Sequence, residues 1–121
     1  MSDPFFDTNI VVDWFKRKPQ GTAELARYKN HRISRIVWTE ILAGEALDAR
    51  DSVRQALANF EVVELDARIA AAAADIRHRS KMKLMDAFIL ATAQVNGAIL
   101  ITRNTKDFPA EMPGIRVPYT L

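Results

Sequence analysis

Short apolar segments alternate with helix-like segments along the chain, and this order restricts the possible folds more than any other feature. The expected strands are residues 5–7, 33–38, 62–63, 98–102 and 115–117. The expected helices are residues 10–17, 22–29, 39–47, 51–60, 67–79 and 85–95, with a break at residues 18–21. Strands separated by helices predict an α/β fold with a parallel sheet and helices on both faces. In such sheets, ligands bind at the carboxyl ends of the strands.

Several helix boundaries carry the residue types that usually mark them. Thr8 or Asn9 can cap the first helix, because their side chains accept the free amides of a first turn. Asp66 is the expected cap of the helix over residues 67–79, and Asn96-Gly97 is the expected stop of the helix over residues 85–95.

Length and composition predict one soluble domain over residues 1–121. The chain has no Cys, which excludes a disulfide scaffold, a thiolate metal site and a cysteine nucleophile. Two His make a histidine-rich zinc site a poor expectation, so any metal would be a hard ion held by oxygens. The formal net charge of +2 leaves room for a local basic patch.

The expected location is the cytoplasm, with no membrane segment. The first four residues lack the basic and apolar regions of a signal peptide. The longest uncharged stretch, residues 87–102, is shorter than the roughly 20 apolar residues that span a bilayer.

Four acidic residues occupy positions that a purely structural role explains poorly. Asp7, Glu40 and Asp107 each follow an expected strand or begin a helix. Asp86 lies on the same helical face as Ile89 and Leu90, so its carboxylate sits on an apolar face. Burial of an unpaired carboxylate costs several kcal/mol, so a cation, amide donors or a metal must compensate it.

These four acids could converge at one end of the sheet. Like charges about 4 Å apart repel by roughly 4 kcal/mol at an effective dielectric near 20. Such a cluster holds protons with raised pKa values or binds a divalent cation. Oxygen-only ligands favour Mg²⁺ or Mn²⁺.

Each acid also has a simpler interpretation. Asp7 could be a helix cap, Glu40 a first-turn acid favoured by the helix dipole, and Asp107 a turn residue. Asp86 could form a buried ion pair with Arg77 or Lys83. One such acid is weak evidence of a site, and the four together in this order are much stronger.

Four segments carry a resemblance to the PIN-domain family, specifically to the VapC-type ribonuclease toxins of type II toxin–antitoxin systems. They are residues 6–9 (FDTN), 39–44 (TEILAG), 86–93 (DAFILATA) and 100–108 (LITRNTKDF). The last two are the most specific. The sequence departs from the family pattern at Trp38, where a smaller residue is usual, and before Asp86, where the approach is basic.

The resemblance implies a three-layer α/β/α sandwich with a mostly parallel sheet of four to five strands. It implies a metal-dependent RNA endonuclease that forms a homodimer and is held inactive by a cognate antitoxin. Carried over by position, the acidic quartet that would bind the metal and act in catalysis is Asp7, Glu40, Asp86 and Asp107. Thr8, Thr102 and Asn104 would orient these groups.

The hypothesis is that one or two Mg²⁺ or Mn²⁺ ions among the acids activate a water for in-line attack on a phosphodiester of single-stranded or loop RNA. Glu40 could be a base or a water-mediated ligand. The cations expected to bind RNA phosphates are Arg77, Arg79, Lys81 and Lys83, although such runs are more often solvated helix ends.

Competing interpretations are weaker or less specific. A haloacid dehalogenase-like enzyme needs a second Asp where this chain has Asn9. A response-regulator receiver needs a different arrangement of acids, because Asp86 lies within a helix pattern. The strongest rival is a non-catalytic PIN-like protein that binds RNA or acts as a scaffold.

Overall fold

The structure is a computed structural model that describes residues 3–121. Within this range the strands are β1 (Phe5–Phe6), β2 (Arg32–Ser34), β3 (Glu61–Val63), β4 (Leu100–Ile101) and β5 (Ile115–Arg116). The helices are α1 (Thr8–Phe15), α2 (Pro19–Ala26), α3 (Arg35–Ala43), α4 (Arg50–Leu57), α5 (Ala67–Arg79) and α6 (Leu84–Val95), with one 3-10 turn at Leu47–Ala49. Residues 1 and 2, which belong to the N-terminal segment without signal-peptide features, lie outside the described residues.

The strands form one parallel sheet in the order β3-β2-β1-β4-β5. Strand β1 is central and pairs with β2 on one side and β4 on the other. The chain therefore leaves β1 in one direction and returns to its other side only at β4. This reversal of strand order is the place where parallel α/β sheets bind ligands.

The helices cover both faces of the sheet, as predicted. Helix α1 packs on α2 and α5 packs on α6, while α3 contacts both α4 and α6. The expected three-layer α/β/α fold is confirmed, and the sheet is wholly parallel.

The strand predicted over residues 33–38 is wrong in its second half. Strand β2 ends at Ser34, whose hydroxyl accepts the amide of Val37 and begins α3. Ile36, Val37 and Trp38 are therefore helical, because a strong cap and tertiary packing override their strand propensity. Glu40 consequently lies within α3 and not at the start of a helix.

Two predicted features of the first helices are also wrong. Asp7, and not Thr8 or Asn9, caps α1, because its Oδ1 accepts the Thr8 amide at 2.8 Å, so the simpler interpretation of Asp7 as a helix cap is correct for its backbone role. The break between the first two helices falls at residues 16–18 and not at residues 18–21, since α2 begins at Pro19. Proline is favoured at the first helical position, where its missing N–H has no helical partner.

Other elements match their predictions closely. Asp66 caps α5 with its carboxylate on the Ile69 amide, and Gly97, at φ +63°, follows the end of α6. The buried apolar side chains of the described residues form one core around Phe5, Phe6 and the β4 strand. No helix among residues 3–121 is both long and apolar enough to cross a membrane.

Candidate metal-binding and nuclease site

A cavity of about 710 Å³ opens at the carboxyl ends of β1 and β4, where the strand order reverses. All four acids singled out in the sequence line it, although they are up to 100 positions apart in the chain: Asp7, Glu40, Asp86 and Asp107. Thr8 and Asn104 line it as well. The predicted convergence of the acids on one pocket is therefore present in the fold.

Asp7 forms the floor of the cavity at the end of β1. Its side chain is only 4% exposed. Its Oδ1 accepts the Thr8 amide, and its Oδ2 accepts the Thr102 hydroxyl at 2.7 Å and the Asn9 side-chain amide at 3.4 Å. Thr102 is fully buried behind the cavity, directly after β4, so two adjacent strands fix this carboxylate.

Burial raises the pKa of Asp7 from 3.8 to about 6. The hydrogen bonds from Thr102 and Thr8 oppose this rise, while the negative charges of Glu40 and Asp86 add to it. The ionised form is thus disfavoured by desolvation and by neighbouring acids together.

Glu40 reaches the cavity from α3. The Thr8 hydroxyl donates to its Oε1 at 2.6 Å, which ties α3 to the first residue of α1. Glu40 is exposed, unlike Asp7. It is therefore the acid of the site with the most freedom to change its side-chain position.

Asp86 lies in the first turn of α6, where the helix dipole favours a negative charge. Partial burial raises the pKa of its carboxyl, and the charges of Asp107 and Glu40 raise it further. Lys83 opposes this shift. Neither Arg77 nor Lys83 forms an ion pair with Asp86 among the described residues, so the pairing considered from the sequence is absent there.

Asp107 is held by the loop that follows β4. The Asn104 side chain donates to its Oδ2 at 2.8 Å and accepts its backbone amide at 3.2 Å. The backbone amide of Asn104 in turn donates to the Thr102 hydroxyl at 3.0 Å. Thr102 and Asn104 thus link Asp7 to Asp107 through a continuous chain of hydrogen bonds.

The four cations predicted to bind RNA are all exposed, but only some of them line the acidic cavity or its neighbour. Lys83 lines the acidic cavity. Lys81 lines a smaller adjacent cavity of about 240 Å³, which shares Asp107 as a wall and also contains Lys106. Arg77 and Arg79 lie in the last turn of α5 and line neither.

Sequence reasoning missed several residues that line the site: Asn9, Val12, Leu84, Met85 and Arg103. Asn9 and Arg103 stand within the matched segments, and their polar character was the available signal. Leu84 and Met85 are 47% exposed at the cavity, an unusual position for large apolar side chains. No sequence pattern placed them there.

The donor set suits a hard divalent cation, since the cavity presents carboxylate, amide and hydroxyl oxygens and contains neither Cys nor His. Burial and, to a smaller extent, the neighbouring carboxylates raise the pKa of Asp7 and of Asp86, and a bound cation would offset both effects. No group of three acidic or histidine side chains in residues 3–121 is close enough to form a ready-made ligand set. Simultaneous ligation therefore requires side-chain movement.

The fold and cavity define an α/β protein with an acidic site at its strand-order reversal. The PIN domain family model matches residues 5–110, so the chain belongs to the PIN domain family. Proteins of this family are generally nucleases and typically use divalent metal ions. No curated protein sequence matches the chain.

Solved structures agree with this assignment. The chain is similar to one in a toxin–antitoxin complex from Klebsiella pneumoniae, with 38% identity, a TM-score of 0.91, and coverage of 98% of this chain and 100% of that one. It is 25% identical to a chain of DNA-bound VapBC from Salmonella typhimurium, with a TM-score of 0.78 and 96% of each chain covered. FitAcB from Neisseria gonorrhoeae, at 22% identity and a TM-score of 0.78, covers 97% and 99% and shares the fold.

Proposed function

We propose that residues 1–121 form one PIN domain that acts as a Mg²⁺- or Mn²⁺-dependent endoribonuclease and as the toxin of a toxin–antitoxin pair. One observation carries the nuclease part of this proposal: four carboxylates from separate parts of the chain line a single cavity. Like charges gathered in one cavity repel one another and disfavour ionisation, so their presence together favours a role in cation binding.

Asp7, Asp86 and Asp107 are the residues that would hold the cation. Asp7 and Asp107 are held by hydrogen bonds from the loop that follows β4 (residues 102–107, the β4 loop), and Asp86 is fixed by the first turn of α6. A bound divalent ion would supply a nucleophilic water at neutral pH and stabilise charge on the phosphate. Because residues 3–121 contain no ready-made ligand set, the exposed Glu40 is the side chain best able to close the site.

Glu40 has a second role in this proposal, as the proton acceptor for the attacking water. Its Oε1 accepts a hydrogen bond from the Thr8 hydroxyl at 2.6 Å, and this bond orients the carboxylate at the cavity. Glu40→Gln keeps the side-chain volume but removes the base, so cleavage should fall more than cation binding does.

The substrate side of the cavity is cationic and apolar. Lys83 lies inside the cavity, and Lys81 and Lys106 border the neighbouring one. These amino groups can neutralise phosphates on either side of a bond positioned at the acids. The exposed Leu84 and Met85 offer apolar contact to an unstacked base, which a single strand or loop can present more easily than a duplex.

The toxin part of the proposal rests on the neighbours. The 38% identical chain comes from a toxin–antitoxin complex, so a cognate antitoxin is the proposed protein partner. We also propose a homodimer and a cytoplasmic location. Co-expression tests the toxin role: growth arrest by the chain alone, relieved by a small protein encoded beside it, supports that role, and absence of arrest contradicts it.

RNA cleavage tests the nuclease role directly. Wild-type protein is incubated with structured and single-stranded RNA in Mg²⁺, in Mn²⁺ and in EDTA. Cleavage that depends on the metal and is lost in Asp86→Asn supports the proposal. Asp75→Asn, an exposed acid on α5, is the matched control and should cleave normally.

Two other outcomes of the cleavage assay would contradict the proposal. Retained cleavage by a folded Asp86→Asn protein contradicts the assignment of this site. RNA binding without cleavage by the wild type, in either metal, would instead support the non-catalytic alternative.

A further inference from the structure

A buried hydrogen-bond network lies directly behind the acidic cavity. Asp13, on α1, is only 1% exposed. It accepts Nε of Arg103 at 2.7 Å, Nη2 of Arg103 at 3.0 Å and the hydroxyl of Tyr119 at 2.8 Å. Three elements far apart in sequence therefore meet at one carboxylate.

This network joins the loop that carries Asp107. Arg103 lines the cavity and lies between Thr102 and Asn104, the two residues that bond Asp7 and Asp107. The backbone amide of Arg103 also donates to Oδ1 of Asn9 at 3.3 Å. Arg103 is thus fixed at its main chain by Asn9 and at its guanidinium by Asp13.

The Asp13 carboxylate is held in its charged form. Burial alone would raise its pKa, but the hydrogen bonds from Arg103 and Tyr119 and the charge of Arg103 lower it. A fully paired buried charge of this kind is costly to disturb, because removal of one partner leaves the other unpaired. It fixes geometry more effectively than a surface ion pair does.

We propose that Asp13, Arg103 and Tyr119 are positioning residues for the acidic site, through which the C-terminal segment holds the β4 loop in its ligand-binding arrangement. This inference deepens the proposed metal-dependent function and rests on it. Asp13 and Tyr119 do not line the cavity, so they act through Arg103.

The chain contains a second network of the same composition, which serves as an internal control. Glu24, on α2, is 4% exposed. It accepts Nε and Nη2 of Arg116 at 2.8 and 3.1 Å and the hydroxyl of Tyr28 at 3.3 Å. None of these three residues lines the acidic cavity.

The two networks have different connections. Both attach the C-terminal part of the chain to the α1–α2 pair, and both bury an acid with an arginine and a tyrosine. Only the Asp13 network includes a side chain of the β4 loop. The backbone carbonyl of Arg116 accepts the Thr102 amide, so the control substitutions are made at Tyr28 and Glu24 and not at Arg116.

The experiment compares Tyr119→Phe with Tyr28→Phe, each of which removes one hydroxyl. Mn²⁺ affinity is measured by calorimetry, and exchange of the Asn104 and Asp107 amides is measured by hydrogen–deuterium exchange without metal. Loss of one of the three bonds to Asp13 should lower Mn²⁺ affinity about threefold, which is less than the roughly tenfold loss expected for a group that bonds a metal ligand directly. It should also speed amide exchange in the loop, whereas Tyr28→Phe should change neither.

Asp13→Asn and Glu24→Gln form the stronger pair. Asp13→Asn should lower Mn²⁺ affinity about tenfold, because Arg103 loses its charged partner beside the acids. If Asp13→Asn does not fold, the tyrosine pair still decides the question. Equal Mn²⁺ affinities and equal exchange in the two tyrosine variants would overturn the inference.

Kinetics separates positioning from mere stability. Tyr119→Phe should lower kcat with little change in KM for RNA, whereas a loss of stability alone leaves the kinetic constants of the folded fraction unchanged. Mn²⁺ binding and RNA cleavage by the wild type report on the proposed function independently of the variants. If the wild type shows neither, the proposed function and this inference fail together; if it shows both, an unchanged Tyr119→Phe protein overturns only the inference.

Discussion

At the scale of single residues, Asp7 shows why the site is unfavourable without a cation. Its carboxylate accepts three hydrogen bonds, yet its pKa is still raised to about 6, because burial and the neighbouring acids outweigh those bonds. Because burial and charge repulsion dominate, ionisation of Asp7 lowers the stability of the folded protein. The folded state therefore binds a proton at Asp7 more tightly than the unfolded chain does, and a bound cation would offset the same cost.

The pH dependence of stability follows from this raised pKa. Between pH 3.8 and about 6 the folded state holds more protons at Asp7 than the unfolded state, so its stability falls as the pH rises. Asp7→Asn removes this effect and should increase the free energy of unfolding at pH 8 by about 1–3 kcal/mol relative to wild type. Urea unfolding in EDTA at pH 5 and pH 8 measures the difference.

Glu111→Gln, a change at an exposed acid, is the control for the Asp7 experiment and should have no comparable effect. Added Mg²⁺ should stabilise the wild type and not Asp7→Asn, since binding to the folded state alone shifts the unfolding equilibrium. An Asp7→Asn protein that is less stable than wild type at pH 8 would contradict the electrostatic argument.

Thr102 allows a second test at the same scale. Its buried hydroxyl donates to Asp7 and accepts from the Asn104 amide. Thr102→Val removes the bond that lowers the pKa of Asp7, so the pKa should rise further and metal binding should begin at higher pH. The lost bonds should also cost about 1–3 kcal/mol of stability.

Calorimetric titration with Mn²⁺ from pH 5 to pH 8 checks the Thr102 prediction. Thr102→Ser keeps the hydroxyl and should restore the wild-type pH profile. A Val variant and a Ser variant with the same profile would show that the hydroxyl does not control ionisation of Asp7.

At the scale of elements, local signals predicted helices better than strands. The cap and the alanine-rich sequence placed α5 correctly over residues 67–79, because one side-chain bond and strong helix propensity act within a few residues. The strand prediction at residues 33–38 failed because β-branched residues fit a buried helix face as well as a strand. Glu40 was therefore identified as a site residue in a helix, as observed, although that helix begins at Arg35 and not at residue 39.

The α1–α2 contact gives a prediction for a single element. A Cβ on Gly21 would lie 2.9 Å from the Asp13 Cβ and 2.9 Å from the Trp14 amide nitrogen, so α2 can approach α1 this closely only with glycine. Gly21→Ala should cost about 1–3 kcal/mol of stability from overpacking, despite the better helix propensity of alanine. Thermal or urea unfolding measures this loss.

Gly44→Ala is the matched control for Gly21. A Cβ at Gly44 would meet the Glu40 carbonyl oxygen at 3.5 Å, an ordinary contact, and the backbone there is already helical. This variant should be neutral or slightly more stable. Equal effects of the two substitutions would show that the close approach at Gly21 has no energetic consequence.

At the scale of the whole molecule, the sequence identified the acids but not the contacts that hold them. Residues at strand ends can be predicted to meet, because parallel strands bring their carboxyl ends to one edge. The Asp13–Tyr119 bond joins residues 106 positions apart, and no local pattern announces such a pairing. Arg103 was missed for the same reason, since its role depends on where α1 and the C-terminal segment pack.

The distribution of charge over the whole surface gives the last prediction. The net charge is only +2, so RNA affinity has to come from local cations and not from the overall field. Lys81 and Lys83 border the acid-lined cavities, whereas the exposed Lys29 lines a separate cavity with Ile99, before β4 begins. RNA binding is measured in the Asp86→Asn background, in which the substrate should stay intact.

In that background, replacing Lys81 and Lys83 with Ala should weaken RNA binding and flatten the plot of log affinity against log salt concentration. For single-stranded RNA the slope should fall by roughly 0.7 for each lost phosphate contact. Lys29→Ala should leave both quantities unchanged. Arg77 and Arg79 line neither cavity, so replacing them with Ala should change the RNA affinity and the salt slope less than replacing Lys81 and Lys83 does. An equal change of the salt slope in Lys29→Ala would mean that RNA is held by diffuse surface charge. The proposal that RNA binds along the acidic cavity would then lose its support.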